Sequence, residues 1–251
     1  MRILVCNDDG IDAPGLCALV DALKKDHEVH VVAPVSQRSA FSHSISFFRQ
    51  ENMAYQRDLP GAKSAWAIDG TPADCVYYGL HAFHLAPDLV ISGINDGPNM
   101  GTDILYSGTV GAAMEAVIHH VPAIAVSLCA YAPRGFTVAS EIARLMVPRY
   151  LASNAAGKAM LNINVPDLRR EQIKGFLWSL PAEAMEYEKH FSLRKAEGGL
   201  LIASQGVLAS NETTKGTDAW AVENGYVALT MLESSLKVAD ERLHDLCLEN
   251  L

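Results

Sequence analysis

Cysteine is scarce in this 251-residue chain, and long apolar runs are missing. The cysteines are odd in number and scattered, so they predict neither a disulfide framework nor a zinc site. They are Cys6, Cys17, Cys75, Cys129 and Cys247. No apolar stretch is long enough to span a membrane, and no secretory signal precedes the first predicted strand. We therefore expect a cytoplasmic protein with reduced cysteines and no membrane partner.

Basic residues are outnumbered, with 20 Lys and Arg against 29 Asp and Glu, for a net charge of −9. Binding to nucleic acid requires a basic face, and none stands out, so nucleic acid is not expected as a partner. A small phosphorylated substrate stays open, because a bound metal can supply positive charge locally. Apolar residues make up 49% of the chain, which is enough for a sizeable core.

Several well-known phosphate and nucleophile motifs are also missing. No Gly-x-Gly-x-x-Gly follows the first predicted strand, and no Walker lysine loop occurs. The Asp-x-Asp pattern of haloacid dehalogenases is absent, because Asp8 is followed at the second position by Gly10. A Gly-x-Ser-x-Gly nucleophile elbow is absent too. Any phosphate-binding site of this chain is therefore built on another arrangement of residues.

What is present is an alternation of strand and helix patterns from residue 1 to about 165, which predicts an α/β fold with a doubly wound, mostly parallel sheet. The predicted strands cover residues 3–6, 29–33, 88–92, 123–127 and 160–165, and the helices cover 13–26, 109–119 and 136–147, with another beginning near residue 71. Residues 45–48 predict a further strand, followed by a small antiparallel excursion to Ile68.

The pattern changes after residue 170, where short alternating runs at 175–180, 199–204 and 225–231 predict an appended β-hairpin region. We interpret the chain as one domain, 1–251, with an α/β core (1–170), a hairpin extension (171–236) and a C-terminal helix within 237–251. The hairpin strands carry Leu200, Leu201 and Ile202 with little sheet to bury them against. Because isolated hairpins are marginal in water, we expect them to contact a second subunit.

Polar side chains follow the ends of the predicted parallel strands. Asp8 and Asp9 follow the first strand, Ser39 follows the second, and Asn95 and Asn99 follow a later one. These ends form the ligand-binding edge of an open α/β sheet. Two adjacent carboxylates repel each other unless a proton or a cation stands between them, and a hard divalent cation such as Mg²⁺ suits oxygen ligands. The alternative is that the two acids only cap the next helix.

An anion cradle is predicted next to these acids. The turn Ser107-Gly108-Thr109 opens a small-residue helix and can aim backbone N–H groups at an anion. Taken alone, this turn is an ordinary helix cap, and Ser39 and Asn95 are ordinary turn residues. The metal site is favoured because several independent strands lead to the same edge.

At this point the chain resembles the SurE (stationary-phase survival) nucleotidases. The motifs are Asn-Asp-Asp-Gly at 7–10 with Ala-Pro-Gly at 13–15, Val-Ala-Pro at 32–34 with Arg-Ser at 38–39, Gly-Thr-Pro-Ala-Asp-Cys-Val at 70–76, Ser-Gly-Ile-Asn-Asp-Gly-Pro-Asn-Met-Gly at 92–101 leading into Tyr-Ser-Gly-Thr-Val at 106–110, Leu-Asn-Ile-Asn-Val-Pro at 161–166, and Gly-Thr-Asp at 216–218 with Gly-Tyr-Val at 225–227. They cover nearly the whole chain in order.

The resemblance implies a Rossmann-like fold and a divalent-metal-dependent phosphate monoester hydrolase. Its expected substrates are nucleoside 5′-monophosphates, with 3′-monophosphates as a further candidate. One metal ion per subunit, Mg²⁺ or Mn²⁺ (with Ca²⁺ as a substitute in a crystal), is expected on Asp8, Asp9, Ser39 and Asn95, and a homodimer or homotetramer is implied. Asp8 and Asp9 are the expected catalytic residues. The expected phosphate-binding residues are Asn99, Ser107, Gly108 and Thr109.

Two stretches and one single residue depart from the family pattern. The stretches are Ala-Phe-Ser-His at 40–43 and residues 176–196, and the single residue is Ala116, where glycine is usual. Three alternatives stay open at this stage. One is a general acid phosphatase or polyphosphatase. Another is a non-enzymatic, Mg²⁺-binding receiver-like signalling module, for which the expected later aspartate and lysine are missing at Asn95 and at residues 127–130. The third is a catalytically inactive nucleotide-binding protein that keeps all four metal ligands.

Overall fold

The computed structural model describes residues 1–46, 51–130, 135–183, 185–211 and 214–235. Strands and helices alternate through its first two thirds, as the sequence predicts. The strands are β1 (Arg2–Cys6), β2 (Glu28–Pro34), β3 (Ala54–Arg57), β4 (Ser64–Ile68), β5 (Leu89–Asp96), β6 (Ala123–Cys129), β7 (Ala159–Pro166), β8 (Phe176–Trp178), β9 (Met185–Ala196), β10 (Gly199–Asn211) and β11 (Val227–Glu233). The α-helices are α1 (Pro14–Leu23), α2 (Pro72–His81), α3 (Gly108–Ile118), α4 (Thr137–Leu151) and α5 (Asp218–Glu223).

Within the described residues, nine strands form one sheet in the order β3-β4-β2-β1-β5-β6-β7-β11-β8. The six strands from β4 to β7 are mutually parallel. The chain winds outward from β1 in one direction and from β5 in the other, so the strand order reverses between these two neighbours. Ligands of doubly wound folds bind outside the carboxyl ends of the strands at such a switch point. Asp8, Asp9 and Asn95 lie at this place.

The sheet is buried on both faces, which explains why its central strands are continuous apolar runs. Ile3 and Val5 of β1 point into the core beneath α1 and α4. Leu4 and Cys6 point into the other core, beneath α2 and α3. All four side chains are fully buried. The mostly parallel α/β fold predicted from the sequence is thereby confirmed.

Two predictions about local structure were wrong. The loop predicted from Gly93 is still strand, because β5 continues to Asp96 across a bulge in which Gly93 and Ile94 face β6 at Val126 alone. The strand predicted from Ile45 does not begin there. Its neighbour Ser46 instead donates its backbone N–H to Asp74 Oδ1 (2.7 Å), so this backbone is bonded to the start of α2 and not to a strand. Residues 47–50 of that predicted strand lie outside the described residues.

The C-terminal part divides differently from its sequence pattern. β11 pairs antiparallel with β7, and β8 pairs parallel with β11, so both extend the main sheet. The appended hairpin consists of β9 and β10, which pair with each other. The predicted final helix at about 238–247 lies outside the described residues. None of the helices seen in the described ranges is long and apolar enough to cross a membrane.

Candidate metal and phosphate site

The carboxyl ends of β1 and β5 open into a cleft of about 180 Å³. The cleft is lined by Asp8, Asp9, Ser39, Ala40, Asn95, Asp96, Asn99, Asp103, Tyr106 and Ser107. All four residues predicted to hold a metal therefore share one cavity with two of the residues predicted to bind phosphate. Asp96, Asp103 and Tyr106 join them without having been predicted.

Asp8 is the most buried acid of the cleft, with 5% of its surface exposed. The Thr109 hydroxyl donates a hydrogen bond of 2.5 Å to its Oδ1. Gly108 packs directly against it, since a Cβ on Gly108 would lie 2.8 Å from Asp8 Cβ. Burial raises the pKa of Asp8 to about 6, the Thr109 hydrogen bond offsets part of the rise, and the charge of Asp9 adds to it. The start of α3 thus fixes the position of this carboxylate.

Asp9 is held from the opposite side of the cleft. Its Oδ2 accepts a hydrogen bond of 3.2 Å from the backbone N–H of Asp96, and its Oδ1 accepts one of 3.5 Å from Gln37 Nε2. Burial raises the pKa of Asp9, and the hydrogen bond from Asp96 lowers it in part. The contact with Asp96 ties the end of β1 to the end of β5, so the two central strands position Asp9 together.

Ser39 and Asn95 reach the cleft from two further segments. The loop that carries Ser39 is anchored because the N–H of Arg38 donates to the carbonyl of Asp8 (2.7 Å). The side-chain nitrogen of Asn95 donates to the carbonyl of Gly97 (2.9 Å), so its side-chain oxygen is the atom left to act as a ligand. The structure therefore supplies carboxylate, hydroxyl and amide oxygens at one place.

The residues predicted to bind phosphate divide into two groups. Ser107 and Asn99 line the cleft. Gly108 and Thr109 lie behind Asp8, and Thr109 is fully buried with its hydroxyl bonded to that carboxylate. Ser107 caps α3 by accepting the N–H of Val110 (3.1 Å), which leaves its O–H able to donate. What Gly108 and Thr109 can offer an anion is the backbone of the first helical turn, whose N–H groups have no partner within the helix.

A buried layer of asparagines beneath Asn99 was missed by the sequence analysis. Asn164 accepts the backbone N–H of Asn99 and donates to its carbonyl, each at 2.9 Å. Asn162 donates to the same carbonyl at 2.9 Å, and Ser127 accepts the side-chain N–H of Asn99 at 2.8 Å. Asparagine is depleted in strands, and residues two apart in a strand point to the same face. The two asparagines of the otherwise apolar strand β7 could therefore have been predicted to make polar contacts on one face of the sheet.

The chemistry of this cleft fits a hard divalent cation. Asp8, Asp9, Asp96 and Asp103 all line it, and no Lys, Arg or His is among the lining residues. A buried carboxylate such as Asp8 is costly without a compensating cation, and the charge of Asp9 beside it adds to that cost. Among the residues that the structure describes, no three His, Cys, Asp or Glu side chains converge on one point. The ligand set therefore has to combine the aspartates with neutral oxygens such as those of Ser39 and Asn95, which is the donor set of Mg²⁺ and Mn²⁺.

Comparison with known proteins identifies the family. The family model described as "Survival protein SurE" matches residues 3–188. A relative named 5′-nucleotidase SurE from Pelotomaculum thermopropionicum is 42% identical over 238 residues, covering 94% of this chain and 90% of that protein. One from Desulfitobacterium hafniense is 41% identical, with 94% and 92% covered. The crystal structure of the SurE protein from Aquifex aeolicus superimposes with a TM-score of 0.77 at 35% identity, covering 98% of this chain and 100% of that one. The chain belongs to the SurE family.

Proposed function

We propose that this protein is a divalent-metal-dependent phosphate monoester hydrolase acting on nucleoside 5′-monophosphates. The observation that carries the proposal is the cleft at the β1/β5 switch point, where Asp8 and Asp9 stand beside the first turn of α3 and no Lys, Arg or His is among the lining residues. The relatives named 5′-nucleotidase SurE support the reaction and the substrate class. Nucleoside 3′-monophosphates are a second substrate class to test.

Asp8, Asp9, Ser39 and Asn95 would hold one Mg²⁺ or Mn²⁺ per subunit. When bound, such an ion lowers the pKa of a water molecule and offsets the charge on a phosphate oxygen. Thr109 keeps Asp8 in place through its hydroxyl, and the N–H of Asp96 does the same for Asp9. Both aspartates thus present their carboxylates without first having to reorganise.

The phosphate would lie between this ligand set and the start of α3. The Ser107 hydroxyl, the side-chain amide of Asn99 and the first-turn N–H groups of Gly108 and Thr109 would hold its oxygens, with help from the helix dipole. Asn99 is already fixed by the asparagine layer of β7. Such groups stabilise the charge that develops on the phosphoryl oxygens during reaction.

In the proposed reaction, the oxygen of a water molecule forms a bond to phosphorus while the bond from phosphorus to the ester oxygen breaks. The products are a nucleoside and inorganic phosphate. Asp8 or Asp9 accepts a proton from the attacking water, and the departing ester oxygen takes up that proton to complete the nucleoside, so both aspartates are proposed as catalytic residues. No covalent intermediate on the protein is needed, in keeping with the absence of a nucleophile motif in the sequence.

The test is phosphate release from a panel of 5′- and 3′-nucleotides. We expect activity with Mg²⁺ or Mn²⁺, and loss of activity after chelation. Asp8→Asn keeps an acceptor for the Thr109 hydroxyl but removes the charge, so kcat should fall by about 100-fold or more with the fold retained. Asp12→Asn, at an exposed acid on the same loop, is the matched control and should be active. Full activity in chelator, or an active Asp8→Asn variant, would contradict the proposal.

The proposed setting is cytoplasmic, without nucleic-acid or membrane partners. Cys6, Cys17, Cys75 and Cys129 are free thiols, and Cys17 is exposed, which fits a reducing compartment. A homodimer or homotetramer is the proposed assembly, for which the exposed apolar hairpin is the structural support. Light scattering at micromolar concentration tests the assembly.

A further inference from the structure

Two histidines meet at the far end of α3 from the cleft. His81 is the last residue of α2, and His119 directly follows α3. Their ring nitrogens, His81 Nε2 and His119 Nδ1, are 3.2 Å apart. The ring centroids are 4.5 Å apart with an interplanar angle of 68°, so the rings meet edge on and do not stack. With 11 residues in α3, the pair lies about 16 Å along the helix from Gly108, by the usual rise per residue.

The orientation of His119 is set by a buried carboxylate. Its Nε2 is 3.0 Å from Glu115 Oε1, and Glu115 is only 6% exposed. The second oxygen of Glu115 is 2.7 Å from His43 Nε2, which holds this carboxylate from the other side. An ionised carboxylate accepts hydrogen bonds only, so it selects the tautomer of His119 that carries its proton on Nε2. Nδ1 is then the acceptor in the 3.2 Å hydrogen bond with His81 Nε2, and a metal ion that replaced the shared proton would use the same two nitrogens.

This arrangement matches the carboxylate–histidine–metal pattern of biological metal sites. Two nitrogens bound to one tetrahedral ion at the usual bond lengths lie about 3.3–3.4 Å apart. The observed separation is 3.2 Å, close to this spacing. We propose that His81 and His119 form a binding site for a transition-metal ion of the Zn²⁺, Ni²⁺ or Cu²⁺ class, with Glu115 as the positioning residue.

The site differs in chemistry from the catalytic cleft. Imidazole nitrogens select Zn²⁺, Ni²⁺ and Cu²⁺, whereas the oxygens of the cleft select Mg²⁺ and Mn²⁺. Within the described ranges, no third His, Cys, Asp or Glu joins the pair, so water would complete the coordination. The proposed site does not depend on the proposed hydrolase activity.

The test uses the full chain without a histidine tag, in buffer containing enough Mg²⁺ to saturate oxygen sites. Ni²⁺ or Cu²⁺ is titrated by calorimetry, and Cu²⁺ is also followed by electron paramagnetic resonance for nitrogen coupling. We expect one equivalent to bind, with coupling to two nitrogens. Asp9→Asn should bind equally well, because it alters only the catalytic cleft.

The variants separate this site from adventitious binding. His81→Ala and His119→Ala should each abolish binding of the one equivalent of Ni²⁺ or Cu²⁺. His120→Ala, at an exposed neighbour, should leave this binding unchanged. Glu115→Gln should weaken binding by about 10- to 100-fold, the range found when the residue that orients a metal-binding histidine is replaced. Equal binding by the wild type and His81→Ala, or an unchanged affinity in Glu115→Gln with its fold verified by circular dichroism, would overturn the proposal.

Discussion

Asp8 shows how much of a site can be set by the surroundings of one residue. Its carboxylate is nearly buried between β1 and the start of α3, with the Thr109 hydroxyl on one oxygen. Gly108 is part of this setting, because a side chain there would overlap Asp8 and also come within 3.0 Å of Pro72. A glycine read from the sequence as an anion-binding residue therefore has a second role in making room for the acid.

Gly108→Ala tests this role. The new methyl group would displace Asp8, and a misplacement of about 1 Å in a site commonly costs about 100-fold in rate, so we expect kcat/KM to fall by that order. Gly199→Ala is the matched control, since a Cβ at Gly199 meets no atom within 4 Å. Steady-state kinetics on a nucleotide is the measurement. Wild-type kinetics in Gly108→Ala would show that Asp8 tolerates the shift.

Phe41 is the residue at which binding of the nucleobase can be tested. The sequence leaves open whether Phe41 stacks on a base or serves as a core or interface residue. In the structure it is 43% exposed, so it is not a core residue, and the guanidinium of Arg38 lies 5.7 Å from its ring centre. It does not line the cleft itself but stands two residues beyond Ser39.

We predict that Phe41→Ala lowers kcat/KM for AMP, GMP, CMP and UMP by similar factors and spares ribose 5-phosphate, which lacks a base. Stacking on an aromatic is worth about 1–3 kcal/mol per base, equivalent to about 5- to 150-fold. Tyr55→Ala, at an aromatic with the same exposed fraction of 43%, is the control. An equal loss on ribose 5-phosphate would assign Phe41 to loop structure.

Among the elements, β7 contributes polar residues to the site from within the core. Asn162 and Asn164 are both fully buried and point to the backbone of Asn99. Asn164 makes two of these bonds and Asn162 makes one. The buried side-chain oxygen of Asn162 has no hydrogen-bond partner within the described structure, and this lowers the stability that Asn162 contributes to the fold.

The two asparagines should therefore respond unequally to the same substitution. Asn164→Ala leaves the buried N–H of Asn99 unpaired, which costs about 1–3 kcal/mol, and it should raise KM because Asn99 is loosened. Asn162→Ala removes the same volume but leaves the Asn99 carbonyl bonded to Asn164, so its loss should be smaller. Urea unfolding and kinetics measure both effects. A larger loss in Asn162→Ala would reverse this account.

The structure also links the loop at 39–44 to α3, and the stability that this link gives to the fold depends on pH. Burial raises the pKa of Glu115, but the hydrogen bonds of His43 and His119 lower it by more, so the net pKa lies below the ordinary value of 4.5. A carboxylate with a lowered folded-state pKa stabilises the fold above its unfolded-state pKa, and this stability is lost as the pH falls through the folded-state pKa.

The difference in unfolding free energy between the wild type and Glu115→Gln should accordingly be largest above pH 4.5 and shrink as the pH falls below it. Denaturant unfolding at a series of pH values is the measurement. Glu141→Gln, at an exposed glutamate of α4, is the control and should show little effect at any pH. If the difference in unfolding free energy were the same at every pH, the charge of the Glu115 carboxylate would not be its cause.

At the scale of the whole molecule, the β9–β10 hairpin exposes apolar side chains that nothing else in the described chain covers. Its strands pair with each other, and the side chains of Phe191, Leu193, Leu200, Leu201 and Ile202 are 51–67% exposed. Contiguous exposed apolar surface is characteristic of an interface between proteins.

We predict a homodimer or homotetramer in solution, which light scattering at micromolar concentration would detect. Leu193 and Ile202 are directly opposed across the hairpin. Leu193→Asp combined with Ile202→Asp should therefore shift the protein to monomer, whereas Ser192→Asp, on the same exposed strand, should not. A monomeric wild-type chain would contradict this prediction.

The predicted α/β fold and the course of most parallel strands agree with the structure because their signal is local. Buried strands and amphipathic helices have different apolar periods, and Thr71 with Pro72 and Asp74 forms the predicted helix start. The errors have non-local causes. The extension of β5 past Gly93 depends on pairing with β6, and β8 and β11 join the main sheet because β7 offers an open edge.

The sequence by itself determined the family, the α/β architecture and six of the ten residues that line the cleft, because strand ends of a doubly wound sheet converge on one edge wherever the helices lie. The tertiary structure alone decided how those residues are used. Thr109 turns its hydroxyl to Asp8, Asn162 and Asn164 bind Asn99 from 63 and 65 residues away, and His81 meets His119. Such contacts depend on side-chain orientation and packing between distant segments, which no local pattern of residues records.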